Sequence, residues 1–298
     1  YIQYTTIFTM KKLSISEVLA SYKHFGSSYN QCVRYVRIFK YSSSKNIIVM
    51  ARLKGIIKLE GTLDNLTFYK GKEGYLVKTK SGVSKERIQN DPAFERTREN
   101  GSEFGRSASS GKLLRTSARN LMIKAKDNRV SSRVTQVMTK IKNFDTSSIR
   151  GQRNVATGLA TPEGKAALKG FDFNNRAVLS AVLFAPFSVD GSTGEISIPN
   201  LTPTNDIAYP SGATHVSFTS AFLKVDFDTT ENAIEYSPTV NIPIDSTSAS
   251  QTLTPAGVPT GTGNDVFLLL VEFFQDINGV QYPLKNGAYN VLNIVEVA

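Results

Sequence analysis

The stretch Val266-Phe-Leu-Leu-Leu-Val-Glu-Phe-Phe-Gln-Asp-Ile-Asn-Gly-Val-Gln-Tyr-Pro-Leu284 decides the fold class. Its dense apolar core, Val266–Val271, is far shorter than the roughly 20 residues a membrane helix needs and is the length of a strand. Asn278-Gly279 is the dipeptide that favours a tight type I′ turn, because both residues accept positive φ. With Phe267–Ile277 before it and Val280–Leu284 after it, the segment is expected to be a β-hairpin.

Outward from this hairpin the texture stays β from Phe171 onward. Ala177–Phe187, Glu195–Ile198, His215–Asp228, Ala233–Ile244, Val266–Gln275 and Tyr289–Val297 are expected strands. Asp-Gly, Pro-Ser-Gly and the Ser/Thr/Gly/Pro-rich span 245–264 separate them. Six or seven strands over about 128 residues predict an all-β, immunoglobulin-like sandwich at 171–298. Residues 151–170, with Gly151, Gly158, Pro162, Gly164 and Gly170, are expected to form a linker.

Upstream, residues 50–150 predict a basic β-hairpin/helical module. Gly55–Gly61, Thr62–Tyr69 and Tyr75–Lys80 look like short strands, with Lys70–Gly74 as a turn. Asp91-Pro92 starts the helical part, an acid at the N-cap followed by Pro at the first helical position. Apolar and small residues then recur at three- and four-residue steps from Phe94 to Ala125. Gly101, Gly105 and Gly111 each weaken a helix by about 1 kcal/mol relative to Ala, so either a break near Gly105–Gly111 or a very close helix contact is expected. Val130, Val134, Val137, Ile141 and Phe144 form the seam of a second helix, which completes a helical hairpin. The fold class is therefore α+β.

Residues 1–49 differ again, rich in Tyr, Ser, Lys, Ile and Asn, with Glu17 as their one acid and no sustained period. They are expected to be a leader, non-native or disordered, with translation starting at Met50. Met10-Lys11-Lys12 is the rival start, but Ser and Glu interrupt the apolar run that a secretion signal needs.

Charge divides along the chain. The protein has 298 residues and a formal net charge of +10. Residues 1–170 hold 32 Lys+Arg against 12 Asp+Glu, whereas 171–298 hold 3 against 13. A basic half serves an anionic partner, and a neighbouring copy with an acidic half is such a partner. The single cysteine, Cys32, excludes a disulfide framework, and two histidines exclude most histidine-rich metal sites.

Local motifs for chemistry are weak. Gly105-Arg-Ser-Ala-Ser-Ser-Gly111-Lys112-Leu113 fails as a phosphate loop, since five residues separate the glycines where four are needed and Leu113 stands where a hydroxyl would hold magnesium. Asp226, Asp228, Glu231 and Glu235 lack calcium-loop spacing. His215 has no Cys or second His near it, and His24 lies in the leader. No catalytic residue, cofactor or metal ligand is nominated.

The positive signal is cationic. At about 100° per residue, Lys112, Arg115, Arg119 and Lys126 fall within a stripe of roughly 60°, with Leu114, Ala118, Leu121 and Ala125 about 120° away. Arg129, Arg133 and Lys140 line the second helix. Lys112, Arg115, Arg119, Lys126, Arg129 and Arg133 are the candidate contacts for an anion or partner. Phe68, Tyr69 and Tyr75, beside Lys70 and Lys72, are expected in the hairpin core.

Met50-Ala-Arg-Leu-Lys-Gly-Ile-Ile-Lys-Leu-Glu-Gly-Thr-Leu-Asp-Asn-Leu-Thr-Phe-Tyr-Lys70, Arg87-Ile-Gln-Asn-Asp-Pro-Ala-Phe-Glu-Arg-Thr-Arg-Glu-Asn-Gly101 and Glu103-Phe-Gly-Arg106 resemble an uncharacterised family of Bacteroidetes hypothetical proteins. Phe273–Gly279 and Tyr282–Tyr289 are similar to that family's C-terminal end, so the resemblance covers Met50–Ala298. It implies no activity and no functional residues. The expected function is that of a non-enzymatic structural or interaction protein, cytoplasmic or in an assembled particle of phage-like or mobile-element kind. Its partner is a second copy or an acidic protein surface, and the alternative partner is nucleic acid held by the basic helices on phosphates.

Overall fold

The computed structural model describes residues 51–52, 59–72, 74–79, 82–284 and 288–298, and the chain divides into two compact units between Gly82 and Val83. The leader expected at 1–49, and most of the strand expected at Gly55–Gly61, lie outside the described residues. The first unit is a four-stranded antiparallel sheet of β1 (Ala51–Arg52), β2 (Gly61–Leu63), β3 (Leu66–Gly71) and β4 (Gly74–Thr79), in the order β1-β4-β3-β2. Phe68, Tyr69 and Tyr75 are half-buried, and Lys78 lies 5.5 Å from the centre of the Tyr69 ring.

The second unit opens with α1 (Lys85–Asn90), capped by the Ser84 hydroxyl, and a 3-10 turn at Pro92–Phe94. Asp91 initiates that turn as its sequence dictates, its carboxylate accepting from the Ala93 N–H at 2.9 Å. The long helix α2 (Glu95–Ser117) follows, then α3 (Arg119–Met122), α4 (Val130–Ile141), α5 (Val155–Leu159) and α6 (Pro162–Leu168). The glycines do not break α2. Gly101 and Gly105 face open space, and Gly111 sits where α4 crosses closely, a Cβ there falling 3.1 Å from Val134 Cγ1. The helix gives way instead at Ala118, one residue beyond its last turn.

The span 151–170 is not a linker. It contains α5 and α6, capped by the side chains of Asn154 and Thr161, and buries Val155, Leu159 and Leu168 in the core. Its glycines allow near-contact of backbones: a Cβ on Gly158 would lie 2.2 Å from Ile141 O, and one on Gly164 would lie 1.9 Å from Gly158 O. The domain boundary expected there is therefore absent: the helices and the β region form one compact unit, and the helices share a core with part of the β region.

Of the strands expected after Phe171, Ala177–Phe187 is instead the short helix α7 (Leu179–Val182) with extended flanks. Next come β5 (Ser188–Val189), β6 (Ile196–Leu201), the one-turn α8 (Pro203–Asp206) and β7 (His215–Val225). Pro238 lies at the break between β8 (Asn232–Tyr236) and β9 (Val240–Pro243), which were expected as one strand. The 245–264 span contains a strand, β10 (Ala249–Leu253). Finally come β11 (Asn264–Ile277), β12 (Val280–Pro283) and β13 (Val291–Val297). The hairpin forms as expected, Ile277 pairing with Val280 across Asn278 (φ 56) and Gly279 (φ 82).

All of these strands pair antiparallel, in two sheets. The larger has the order β12-β11-β7-β8, with β13 also on β11 and β9 also on β7; the smaller is β10-β6-β5. The larger sheet is covered on both faces, which is why β11 is apolar without alternation. Val266, Leu268 and Leu270 join the core under the helices, while Phe267, Leu269, Val271 and Phe273 join the core under the smaller sheet. The result is three layers: helices, six strands, three strands. At one end the larger sheet curls, and there Asn241 Nδ2 donates both to Ser217 Oγ (2.7 Å) and to Gln281 Oε1 (2.9 Å), linking β9 to β12.

Candidate interaction surface: a basic helical layer and acidic β layers

Residues 83–170 carry 18 Lys+Arg against 8 Asp+Glu. Burial and pairing sort these cations into those that hold the fold and those that face solvent. Glu103, 3% exposed on α2, is the inner anchor. Its carboxylate accepts from Lys142 Nζ and from the Gly151 N–H (2.8 Å), with Arg153 Nε at 4.0 Å. Burial alone would raise this carboxyl; the hydrogen bonds from Lys142 and Gly151 outweigh it and hold Glu103 below the ordinary glutamate range. Beside it, Asp145 accepts from the N–H groups of Ser147, Ser148 and Asn154 and from the Ser147 hydroxyl. Burial opposes ionisation there too, and the hydrogen bonds again depress the carboxyl. Together the two acids fasten the 145–154 loop against α2. Nothing in their local sequence marked them, because each is a lone acid whose partners lie in another element or along a loop.

Two of the six candidate cations also serve the fold. Arg115 donates from Nε to Gly111 O (3.0 Å) and from Nη1 to Ser131 Oγ, joining α2 to the start of α4. Arg133, 24% exposed, pairs with Asp127, donates to Asp172 O (2.7 Å) and stacks its guanidinium 5.1 Å from the centre of the Phe171 ring. It therefore locks the helical layer to the chain that enters the β layers.

The other four, Lys112, Arg119, Lys126 and Arg129, are exposed, and their side chains make no ion pair or hydrogen bond among the described residues. The stripe is interrupted between them. Lys112 rides on α2, Arg119 begins α3, and Lys126 and Arg129 lie in the turn before α4. The apolar stripe is wholly buried at Leu114, Ala118, Leu121 and Ala125, which turns the cationic side outward. Phe104, 57% exposed, stands two turns before Lys112 on the outer side of α2.

The β layers have the opposite sign. Among the described residues from 177 to 284 the only Lys or Arg is Lys224, which is paired with Asp265. Asp190 and Glu195 flank the turn between β5 and β6 of the smaller sheet, Asp206 ends α8 just after β6, and Asp245 lies in the connection from β9 to β10; none of the four is ion-paired among the described residues. Ile196 and Ile198 point into the core, so Glu195 and Ser197 point out. On β8, Glu235 pairs with Phe222 in register and shares its side of the larger sheet, the side that the smaller sheet covers. Two ion pairs cross between helices and the larger sheet, Lys124 with Glu272 (2.8 Å) and Lys169 with Glu296.

His215 lies at the edge of β7 with Nδ1 3.0 Å from Thr214 Oγ1. Among the described residues no three His, Cys, Asp or Glu side chains gather so as to hold a metal ion, and no helix is long and apolar enough to cross a membrane. Comparison with protein-family models, curated proteins and solved structures finds no match.

Proposed function

We propose that the chain is a non-enzymatic structural protein that assembles through electrostatic contact, its basic helical layer docking on an acidic protein surface and most directly on that of a second copy. The observation that carries this reading is the separation of charge within one body. Lys112, Arg119, Lys126 and Arg129 are free on the helical side, while the smaller-sheet layer holds acids without cations. Such contacts gain their attraction at the rim of an interface, speed association and weaken with salt. The two packed sheets act in this reading as a rigid, immunoglobulin-like scaffold, and a phage-like or mobile-element particle is the setting such a part would suit.

The test is a variant with Lys112→Glu and Arg119→Glu, both exposed, compared with the wild-type chain by size-exclusion chromatography with light scattering. The wild type is expected at a multiple of the protomer mass in low salt and the variant as a monomer with unchanged circular dichroism. An unchanged oligomer mass in the variant overturns the role of this face. The second reading is nucleic-acid binding, favoured by the same four free cations, since phosphate contact asks for cations and little sequence. It predicts that Lys112→Glu/Arg119→Glu loses retention of a DNA duplex while the oligomer mass is unaltered.

A further inference from the structure

The layering restricts how copies can meet. The helices and the smaller sheet lie on opposite faces of the six-stranded sheet, each with its own core. Packed layers stand roughly 10 Å apart, so the free cations and the acids of the smaller sheet are separated by about 20 Å through the molecule. That exceeds two screening lengths at physiological ionic strength, about 8 Å each, and the chain therefore cannot neutralise its outer helical face with its own outer acids. A two-fold contact sets one patch against the same patch, which would place Lys112, Arg119 and Arg129 against themselves or acids against acids. Head-to-tail stacking is the arrangement that sets opposite charges together.

We infer that copies stack head to tail, with the outer helical face bearing Phe104, Lys112, Arg119 and Arg129 seated on the smaller-sheet face bearing Asp190 and Glu195 of the next copy. The inference rests on the assembly reading above and adds the partner surface and its direction. Phe104, two turns before Lys112 on α2, supplies an exposed apolar anchor at the end of the cationic stretch. On the acidic side the Ser192 hydroxyl and N–H hydrogen-bond Asp190 and keep it ionised, so its negative charge is present down to low pH. Each contact leaves one basic and one acidic face unused at the two ends, so the assembly grows or closes as a ring, and it does not stop at two.

Two neutralised variants of the full chain test this. One carries Lys112→Gln, Arg119→Gln and Arg129→Gln; the other carries Asp190→Asn and Glu195→Gln, whose amide oxygens still accept from Ser192 and Thr254. Light scattering at low salt is expected to give larger assemblies for the wild type and monomers for each variant alone. An equimolar mixture is expected to give a capped dimer, about twice 32.7 kDa, that does not grow with concentration. A wild type that stays monomeric overturns both the assembly reading and the inference. A wild type that assembles, with either variant still assembling alone or with no dimer in the mixture, overturns the inference and leaves the assembly reading standing.

Discussion

Gly158 and Gly164 show how a single hydrogen atom in place of a methyl can set a helix crossing. A Cβ at Gly158 would overlap the carbonyl oxygen of Ile141 at 2.2 Å, and backbone, unlike the end of a flexible side chain, cannot step aside. Gly158→Ala is therefore expected to destabilise the protein by about 2 kcal/mol. Gly101→Ala, inside α2 and facing open space, is expected to stabilise by about 0.5–1 kcal/mol, because alanine pays less backbone entropy in a helix. Thermal unfolding of the two variants checks both signs at once, and equal shifts would contradict the packing account. Glu103 carries the complementary electrostatic prediction. Glu103→Gln leaves Lys142 buried without its counter-charge and is expected to cost about 3 kcal/mol, partly recovered in Glu103→Gln/Lys142→Met.

The pH dependence follows from the same residues. Glu103, Asp127 and Asp145 are all held below their ordinary ranges by hydrogen bonds and cations that outweigh burial. A group with a depressed folded pKa adds stability above its unfolded value and loses it as the pH falls toward the folded value. The midpoint temperature is thus expected to be flat near neutrality and to fall below about pH 4, more shallowly in Asp145→Asn than in the wild type. An identical acid limb in both proteins would show that Asp145 contributes no charge-linked stability.

At the level of elements, legibility tracked how local the determining contact was. The Asn278-Gly279 turn and the apolar β11 run were visible because turn chemistry and strand hydrophobicity act within a few residues. Replacing Asn278-Gly279 by Ala-Ala should cost about 1–2 kcal/mol, since both positions sit at positive φ, and should raise amide exchange in β12 first. The α4 seam was nearly right, with Met138 in the core and Val137 only packed against it, as a 3.6-residue helical repeat requires. The 151–170 helices were hidden because the glycines that signal a loop in sequence here let backbones touch, a fact that depends on Ile141 and Gly158 meeting in space. Strand β10 was hidden within Ser, Thr and Pro residues because most of it is exposed and only Leu253 is fully buried. The candidate surface divided on the same ground. Lys112 and Arg119 are legible as exposed helical cations, Lys126 and Arg129 are exposed but lie in a turn that the helical repeat hides, and the structural duties of Arg115 and Arg133 depend on the positions of Ser131, Asp127 and Asp172.

Across residues 83–298, one core under the helices and another under the smaller sheet set the cation-rich helices and the acid-rich smaller sheet on opposite sides of the six-stranded sheet. The measurement that tests the central claim most directly is the light-scattering mass of the full chain across a salt series, with absorbance followed at 260 and 280 nm. The account predicts a multiple of 32.7 kDa at low salt that falls to the protomer mass in high salt, with no excess absorbance at 260 nm. A monomer at every salt concentration, or a monomer that carries nucleic acid until salt removes it, would contradict it.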